Sequence, residues 1–312
     1  MLIVCTSNNY AQYQDDYSYL FKVIERKQQK NVQKYCPNSI LAKTSKATIY
    51  YHTNAVDPKK PNLVLLHGMG LDAKTNWSKQ IKTFTKNFNV FIPDLVYFGK
   101  STSDTSNFSV EFQAQQIHEA VCQHFGNTAK LNIVGFSYGG LTAAIFNYLY
   151  SFKINKLVIA DGPVKFFTEA MADSIASRNK VPKFTNVIVP ETNDQLKVTF
   201  KLSVSKQIHV PNFLKKKIIR FFFLKYKKYR HAQMNYLLNN KEFYNTCNYS
   251  LDKTNTLLIW GEKDGVIPIS VGYQLNQQFP KTTKLMVFKK AKHDAHFRNA
   301  KQFNKIITLF LN

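Results

Sequence analysis

The chain has 312 residues, 44% of them hydrophobic, enough for one large domain or for a core carrying an insertion. Its formal net charge is +24, yet arginine occurs only at 26, 178, 220, 230 and 298, and the lysine excess accompanies a general bias toward Lys, Asn, Tyr, Phe and Ile. Arginine is the usual reader of base edges, so the charge does not indicate nucleic-acid recognition; no apolar run approaches the ~20 residues of a membrane span, and cysteines 5, 36, 122 and 247 have neither zinc-knuckle spacing nor a disulfide framework.

Met1–Cys5 is apolar but lacks a preceding basic region, so it reads as a disordered start, or as the tail of an export signal if the true start lies upstream. Residues 16–34 read as an amphipathic helix that packs on the core or lies on a membrane. From residue 48 strand and helix signals alternate. Strands are expected at 48–52, 63–66, 89–94, 131–134, 156–160, 256–260 and 284–288, and helices near Trp77, over 109–125 with Ser109 as N-cap, over 141–150 and over 300–311. Continuous apolar strands between helices predict a mostly parallel sheet covered on both faces. The alternation stops between Pro163 and Asn255, where about ninety residues read as helices and loops. That insertion is expected to form a helical cap above the carboxyl ends of the strands. The expected organisation is an extension over 1–47, a core made of 48–163 and 255–312, and a cap over 164–254.

The most informative stretch is Gly135-Phe136-Ser137-Tyr138-Gly139, a G-x-S-x-G sequence between an apolar strand and a helix. A sharp strand-to-helix turn strains the serine backbone and holds its hydroxyl at the top of the sheet. Gly135 and Gly139 avoid collisions that a Cβ would make there, and Gly140 eases the same crowding. An attacking serine needs a base, and the base an orienting carboxylate. Asp264, in Gly261-Glu262-Lys263-Asp264-Gly265, and His293, after Phe288, both follow strands that end on the serine's side. Asp161, at another strand end, is the alternative acid, and His296 the alternative base. Gly99-Lys100-Ser101 lacks the earlier glycine of a phosphate-binding loop, because position 94 is Asp; His118-Glu119 lacks the second histidine of a zinc-protease motif, because position 122 is Cys.

Leu66-His67-Gly68-Met69-Gly70, Pro93-Asp94-Leu95 with Phe98-Gly99-Lys100-Ser101, Gly135–Gly140, Gly261-Glu262-Lys263-Asp264 and Ala291-Lys292-His293 together resemble the motif set of the α/β-hydrolase superfamily. The resemblance covers residues 48–311 and is drawn closest to the capped lipase/esterase branch, the monoacylglycerol-lipase-like members. It implies an α/β-hydrolase fold with a helical cap inserted after the sixth strand. It also implies Ser137 as nucleophile, His293 as general base, Asp264 as its orienting acid, and the N–H groups of Met69 and Tyr138 as oxyanion hole. His67 and Gly68 would shape the oxyanion loop, and Asp94 would bond loop N–H groups. Two departures stand out. Lys292 replaces the glycine usual before the histidine, and Val96-Tyr97 replaces a common Pro-Gly.

The expected activity is hydrolysis of carboxylic esters with an acyl-lipid-like substrate, without metal or cofactor. C–C bond hydrolysis or acyl transfer by the same triad, or a non-catalytic membrane scaffold on this fold, are the alternatives. Between Phe213 and Arg230 the insertion carries eight basic residues and no acid. On one helical wheel Phe221 and Phe222 lie opposite Lys215, Lys216 and Lys217, which would line the acyl channel or meet an anionic bilayer. The chain is accordingly expected to be cytoplasmic or peripheral to a membrane.

Overall fold

A computed structural model describes residues 19–206, 210–224 and 226–312; the apolar start at Met1–Cys5 and Lys225 of the basic run lie outside them. Eight strands form one sheet: β1 (Asn38–Lys43), β2 (Thr48–Thr53), β3 (Asn62–Leu66), β4 (Asn89–Pro93), β5 (Leu131–Phe136), β6 (Ile154–Ala160), β7 (Thr256–Gly261) and β8 (Thr283–Phe288). Their order is β1-β2-β4-β3-β5-β6-β7-β8. β1 pairs antiparallel with β2 and β2 antiparallel with β4, and every later pairing is parallel. The expected mostly parallel sheet is present. β1 is an addition, since Asn38–Lys43 has only Ala42 buried and its apolar stretch is limited to Ile40-Leu41-Ala42.

The central parallel strands are largely apolar because both faces are covered. Val64, Leu66, Ile133, Leu157, Ile159, Leu258 and Trp260 pack into one core, with the helices Val110–Phe125 and Tyr138–Tyr150. Their neighbours in the chain, Leu63, Leu65, Val134, Val158, Leu257 and Ile259, turn to the opposite core, beneath the helices Ile81–Asn87 and Ala300–Leu311. This is the period-two alternation of a strand dividing two layers. The helix Tyr19–Tyr35 joins the second layer through Val32, which is fully buried. Ser109 caps its helix as expected, its hydroxyl accepting from the Phe112 N–H.

Between β6 and β7 lie only helices: Glu169–Arg178, Thr185–Ile188, Asn193–Ser203, Asn212–Ile218, a π-helical stretch Ile219–Leu224, Lys227–Asn239 and Lys241–Thr246. This is the cap after the sixth strand. The basic run is not one amphipathic helix: it is divided among three elements, with a break before Lys227. The wheel drawn through 213–230 therefore does not describe it. Lys215 is buried with its ammonium bonded to Asn212, and Phe222 packs against the cap's own small core of Val189, Leu196, Ile219 and Phe223. Phe221 is half-buried, Lys217 is half-buried and Lys216 is exposed. Among the described residues no helix is long and apolar enough to cross a membrane.

Candidate active site

The elbow is strained as its sequence requires. Ser137 has φ 53° and ψ −121°, a conformation non-glycine residues adopt at a cost of about 1–3 kcal/mol. The Ser137 N–H donates to Ala160 O at the end of β6, so the sheet itself holds the turn. A Cβ on Gly135 would sit 2.1 Å from Gly139 O, and one on Gly139 would sit 2.2 Å from Leu66 O. These obstacles are backbone atoms of a sheet and a helix, which cannot swing away. Gly139→Ala is expected to lower stability by about 2–3 kcal/mol and to displace the serine. A wild-type melting temperature together with wild-type labelling of Ser137 by a fluorophosphonate would contradict this account.

The loops after β7 and β8 bring Asp264 and His293 to the serine. The Ser137 hydroxyl lies 2.9 Å from His293 Nε2, and His293 Nδ1 lies 2.7 Å from Asp264 Oδ2. Asp264 Oδ1 accepts from the N–H groups of Val266 (2.8 Å) and Ile267 (3.0 Å), so both carboxylate oxygens are engaged and the side chain is fully buried. A carboxylate on Nδ1 keeps the proton there and leaves Nε2 free to accept from the serine. Such an arrangement can activate the hydroxyl and then store the proton as imidazolium. Of the two histidines, only His293 has these bonds. His296 is buried, held far down at about 3 by burial, and accepts from Asn76 Nδ2.

Asn76 is a residue that sequence reading passed over. Its Oδ1 accepts from the Gly68 N–H at 3.0 Å while its Nδ2 donates to His296, so the pair braces the loop after β3. His67 braces it from the other side. Its Nε2 accepts from the Leu95 N–H (2.9 Å), so its Nδ1 is the protonated nitrogen and donates to Gly68 O (2.8 Å). Burial pushes His67 down to about 4, and it stays neutral. The loop abuts the elbow: a Cβ on Gly68 would lie 3.2 Å from that of Ser137. Met69 follows directly. Tyr138 begins the helix Tyr138–Tyr150, and the first N–H groups of a helix have no intrahelical acceptor. Donors at these two positions suit an oxygen that gains negative charge. Asp94 accepts from the N–H groups of Ala73 and Lys100, each at 2.9 Å, as expected of a loop-bonding carboxylate.

The two departures are absorbed locally. The left-handed residue of the histidine loop is Lys290, at φ 62°, and Lys292 is not strained; after Asp94 it is Tyr97, at φ 70°. Tyr97 stacks on Tyr229 of the cap with ring centroids 4.9 Å apart. Further ties close the cap over the core. The Tyr226 hydroxyl donates to Gly99 O, Gln233 donates to Val96 O, and the Gly265 N–H donates to Leu202 O. Ser205 bonds Asp294 and accepts from the Lys292 N–H, next to His293. The cap also contains a cavity of about 570 Å³ lined by Glu191, Thr192, Asn193, Lys216, Ile219, Arg220 and Leu224, which includes none of the triad.

Arg230, on the helix Lys227–Asn239, was seen in the sequence only as one basic residue among eight. It is 4% exposed, and its guanidinium lies 5.4 Å from the centre of the Phe98 ring, which itself packs on His67 at 5.0 Å. One guanidinium N–H donates to Phe222 O, while Nε is buried with no partner. Burial pushes it down to about 10, and among the described residues no carboxylate lies within ion-pair distance. Asp161, Asp264 and His293 each place one metal-ligating atom within 4.8 Å of the others. Asp264 is already engaged by two N–H groups and the imidazole, and Asp161 by the Gly261 N–H.

The sequence matches the α/β-hydrolase fold family over residues 61–300. The chain belongs to that family. It is a serine-hydrolase-type enzyme, with the nucleophile-bearing elbow and cap of the fold. A curated relative from Escherichia coli O81 (strain ED1a), 2-hydroxy-6-oxononadienedioate/2-hydroxy-6-oxononatrienedioate hydrolase, is 25% identical over 284 residues, covering 85% of this chain and 91% of its own. Among solved structures, a meta-cleavage product hydrolase from Pseudomonas fluorescens IP01 superposes with a TM-score of 0.70 at 19% identity, over 89% of this chain and 98% of its own. A putative lipase from Acinetobacter baumannii AYE superposes at 0.78 with 19% identity, over 96% and 97%. The structural likenesses establish the fold alone. The relatives aligned in sequence overturn the placement in the monoacylglycerol-lipase-like branch, since they carry the names of oxo-dienedioate hydrolases. The motifs behind that placement belong to the whole superfamily: they build the elbow and the triad and do not specify the substrate.

Proposed function

We propose that this enzyme hydrolyses a carbon–carbon bond beside a ketone in a small carboxylate-bearing substrate of the 2-hydroxy-6-oxo-dienoate class, with Ser137 as nucleophile, His293 as base and Asp264 as orienting acid. The observation that carries the reading is Arg230. A buried guanidinium with an unfilled donor and no acidic partner is costly unless an anion completes it. It lies beside Phe98 and His67, at the oxyanion loop. A neutral acylglycerol brings no charge to meet it, whereas a dienoate brings its carboxylate.

The chemistry follows from these positions. Once the dienol has ketonised, losing its C2 O–H proton and gaining one at C5, the C6 ketone is an ordinary electrophile. Ser137 Oγ adds to C6, its proton passes to His293, and the new oxyanion faces the N–H groups of Met69 and Tyr138. Collapse breaks C5–C6, and its electron pair moves through the C3=C4 double bond to the C2 oxygen, forming a dienolate next to the carboxylate held by Arg230. That fragment takes the proton back from His293 and leaves as the dienol, which restores the neutral imidazole. Water activated by His293 then releases the acyl group from Ser137 as a carboxylic acid.

The test is turnover of a 2-hydroxy-6-oxo-dienoate, followed by loss of its absorbance, in the wild type and in Arg230→Gln. Losing a charged hydrogen bond to the carboxylate is expected to raise KM by about 10- to 100-fold, with turnover of neutral p-nitrophenyl esters unchanged. An enzyme that consumes the esters but not the dienoate, or a dienoate KM indifferent to R230Q, would reject the reading.

A further inference from the structure

Asp161 ends β6 immediately behind the triad and has no part in the chemistry above. It is fully buried, and its φ of 49° is a left-handed conformation that Asp and Asn tolerate better than most residues. Oδ1 accepts from the Gly261 N–H at 2.9 Å, but Oδ2 meets no N–H or hydroxyl donor. A carboxyl oxygen of Asp161 lies within 4.8 Å of one of Asp264, a contact that becomes a hydrogen bond only if one of the two carries a proton. Two carboxylates this close in a dry site cannot both be ionised. Asp264 receives two N–H groups and the imidazole, whereas Asp161 receives one N–H. The negative charge is thus better supported on Asp264, and the proton belongs to Asp161.

We infer that Asp161 is a positioning residue of the triad: a neutral carboxylic acid that donates its proton to the Asp264 carboxylate and thereby locks the acid that orients His293. The groups facing it agree. Asp264 comes from the loop after β7 and His293 from the loop after β8, while the charge of Asp294, on the same loop as His293, also opposes ionisation. Burial first, and then the Asp264 charge, hold Asp161 well above the usual carboxylate range. The inference concerns the serine's activation and holds whether the bond cleaved is C–C or ester.

The sign of the pH dependence separates this role from that of an ionised structural aspartate. A carboxyl protonated when folded but ionised when unfolded costs stability once pH rises above its unfolded value, near 3.8, and increasingly up to its folded one. Asp161→Asn keeps the shape, the tolerated φ and a donor toward Asp264, and removes that cost. Its melting temperature is expected to exceed the wild type's at about pH 8, with the difference fading toward about pH 4. Pseudo-first-order labelling of Ser137 by a fluorophosphonate reads the activation without any assumption about substrate. D161N is expected to label within about threefold of the wild type at neutral pH. Asp161→Ala removes the donor and is expected to label about tenfold more slowly, with recovery in D161N as the conservative variant. Infrared spectra of the wild type at neutral pH should contain a protonated-carboxyl C=O band that D161N lacks. No such band, or a D161N that melts below the wild type at about pH 8 and labels as poorly as D161A, would overturn the inference. D161A matching the wild type in labelling would overturn it too.

Discussion

Ser137→Ala is expected to reduce turnover by a factor on the order of 10⁵–10⁶ and to abolish fluorophosphonate labelling, while leaving the melting temperature close to that of the wild type. The variant removes one oxygen, the atom 2.9 Å from His293 Nε2, and nothing that holds the elbow. The turn is fixed by backbone bonds, Ser137 N–H to Ala160 O and Gly140 N–H to Ser137 O, which alanine keeps. The oxyanion donors proposed at Met69 and Tyr138 are backbone groups and would also remain, so activity should fall to a residual level above uncatalysed hydrolysis and not to zero. Turnover with a dienoate and labelling of purified protein check both parts. Undiminished labelling of S137A would place the reactive serine elsewhere.

Asp264→Asn is expected to cost about 10⁴ in kcat with little change in fold, for a reason the hydrogen bonds make specific. Oδ1 accepts from two N–H groups, at 2.8 and 3.0 Å, so the amide must place its oxygen there and turn its NH₂ toward His293 Nδ1. The imidazole then accepts on Nδ1 and carries its proton on Nε2, the nitrogen that should receive the serine's. Substrate affinity should be nearly unaffected, since Asp264 is buried behind His293 and does not meet the substrate. Steady-state kcat and KM, with a melting curve to verify folding, decide it. A kcat within tenfold of the wild type would mean that Asp264 does not set the tautomer.

Much of this site was legible because its signals are local. The elbow is a run of five residues with a recognisable pattern, and one of its glycines is imposed by atoms close in the chain, as the 2.1 Å approach of a Gly135 Cβ to Gly139 O makes plain. The strands were legible because a strand buried on both faces has to be apolar at consecutive positions. Asp264 was found because it follows such a strand, and His293 because it follows the half-buried apolar strand at the sheet's edge. β1 was missed because a largely exposed edge strand needs no apolar pattern, and the basic wheel failed because the chain breaks before Lys227, where cap packing competes with helix continuation. The lipase-like placement failed because superfamily motifs encode the machinery of attack and are silent on the substrate.

The amino-acid sequence by itself determined the α/β-hydrolase fold, the elbow at Ser137 and the strand ends that carry its partners, because these depend on residue type and spacing over short stretches. Only the tertiary structure decided that His293 and not His296 faces the serine, that Arg230 is enclosed with an unfilled donor, and that Asp161 stands against Asp264. Burial and the identity of a partner are properties of packing between segments far apart in the chain. A lysine-rich stretch or an aspartate before a glycine reads the same in sequence whether it ends in water or in the core.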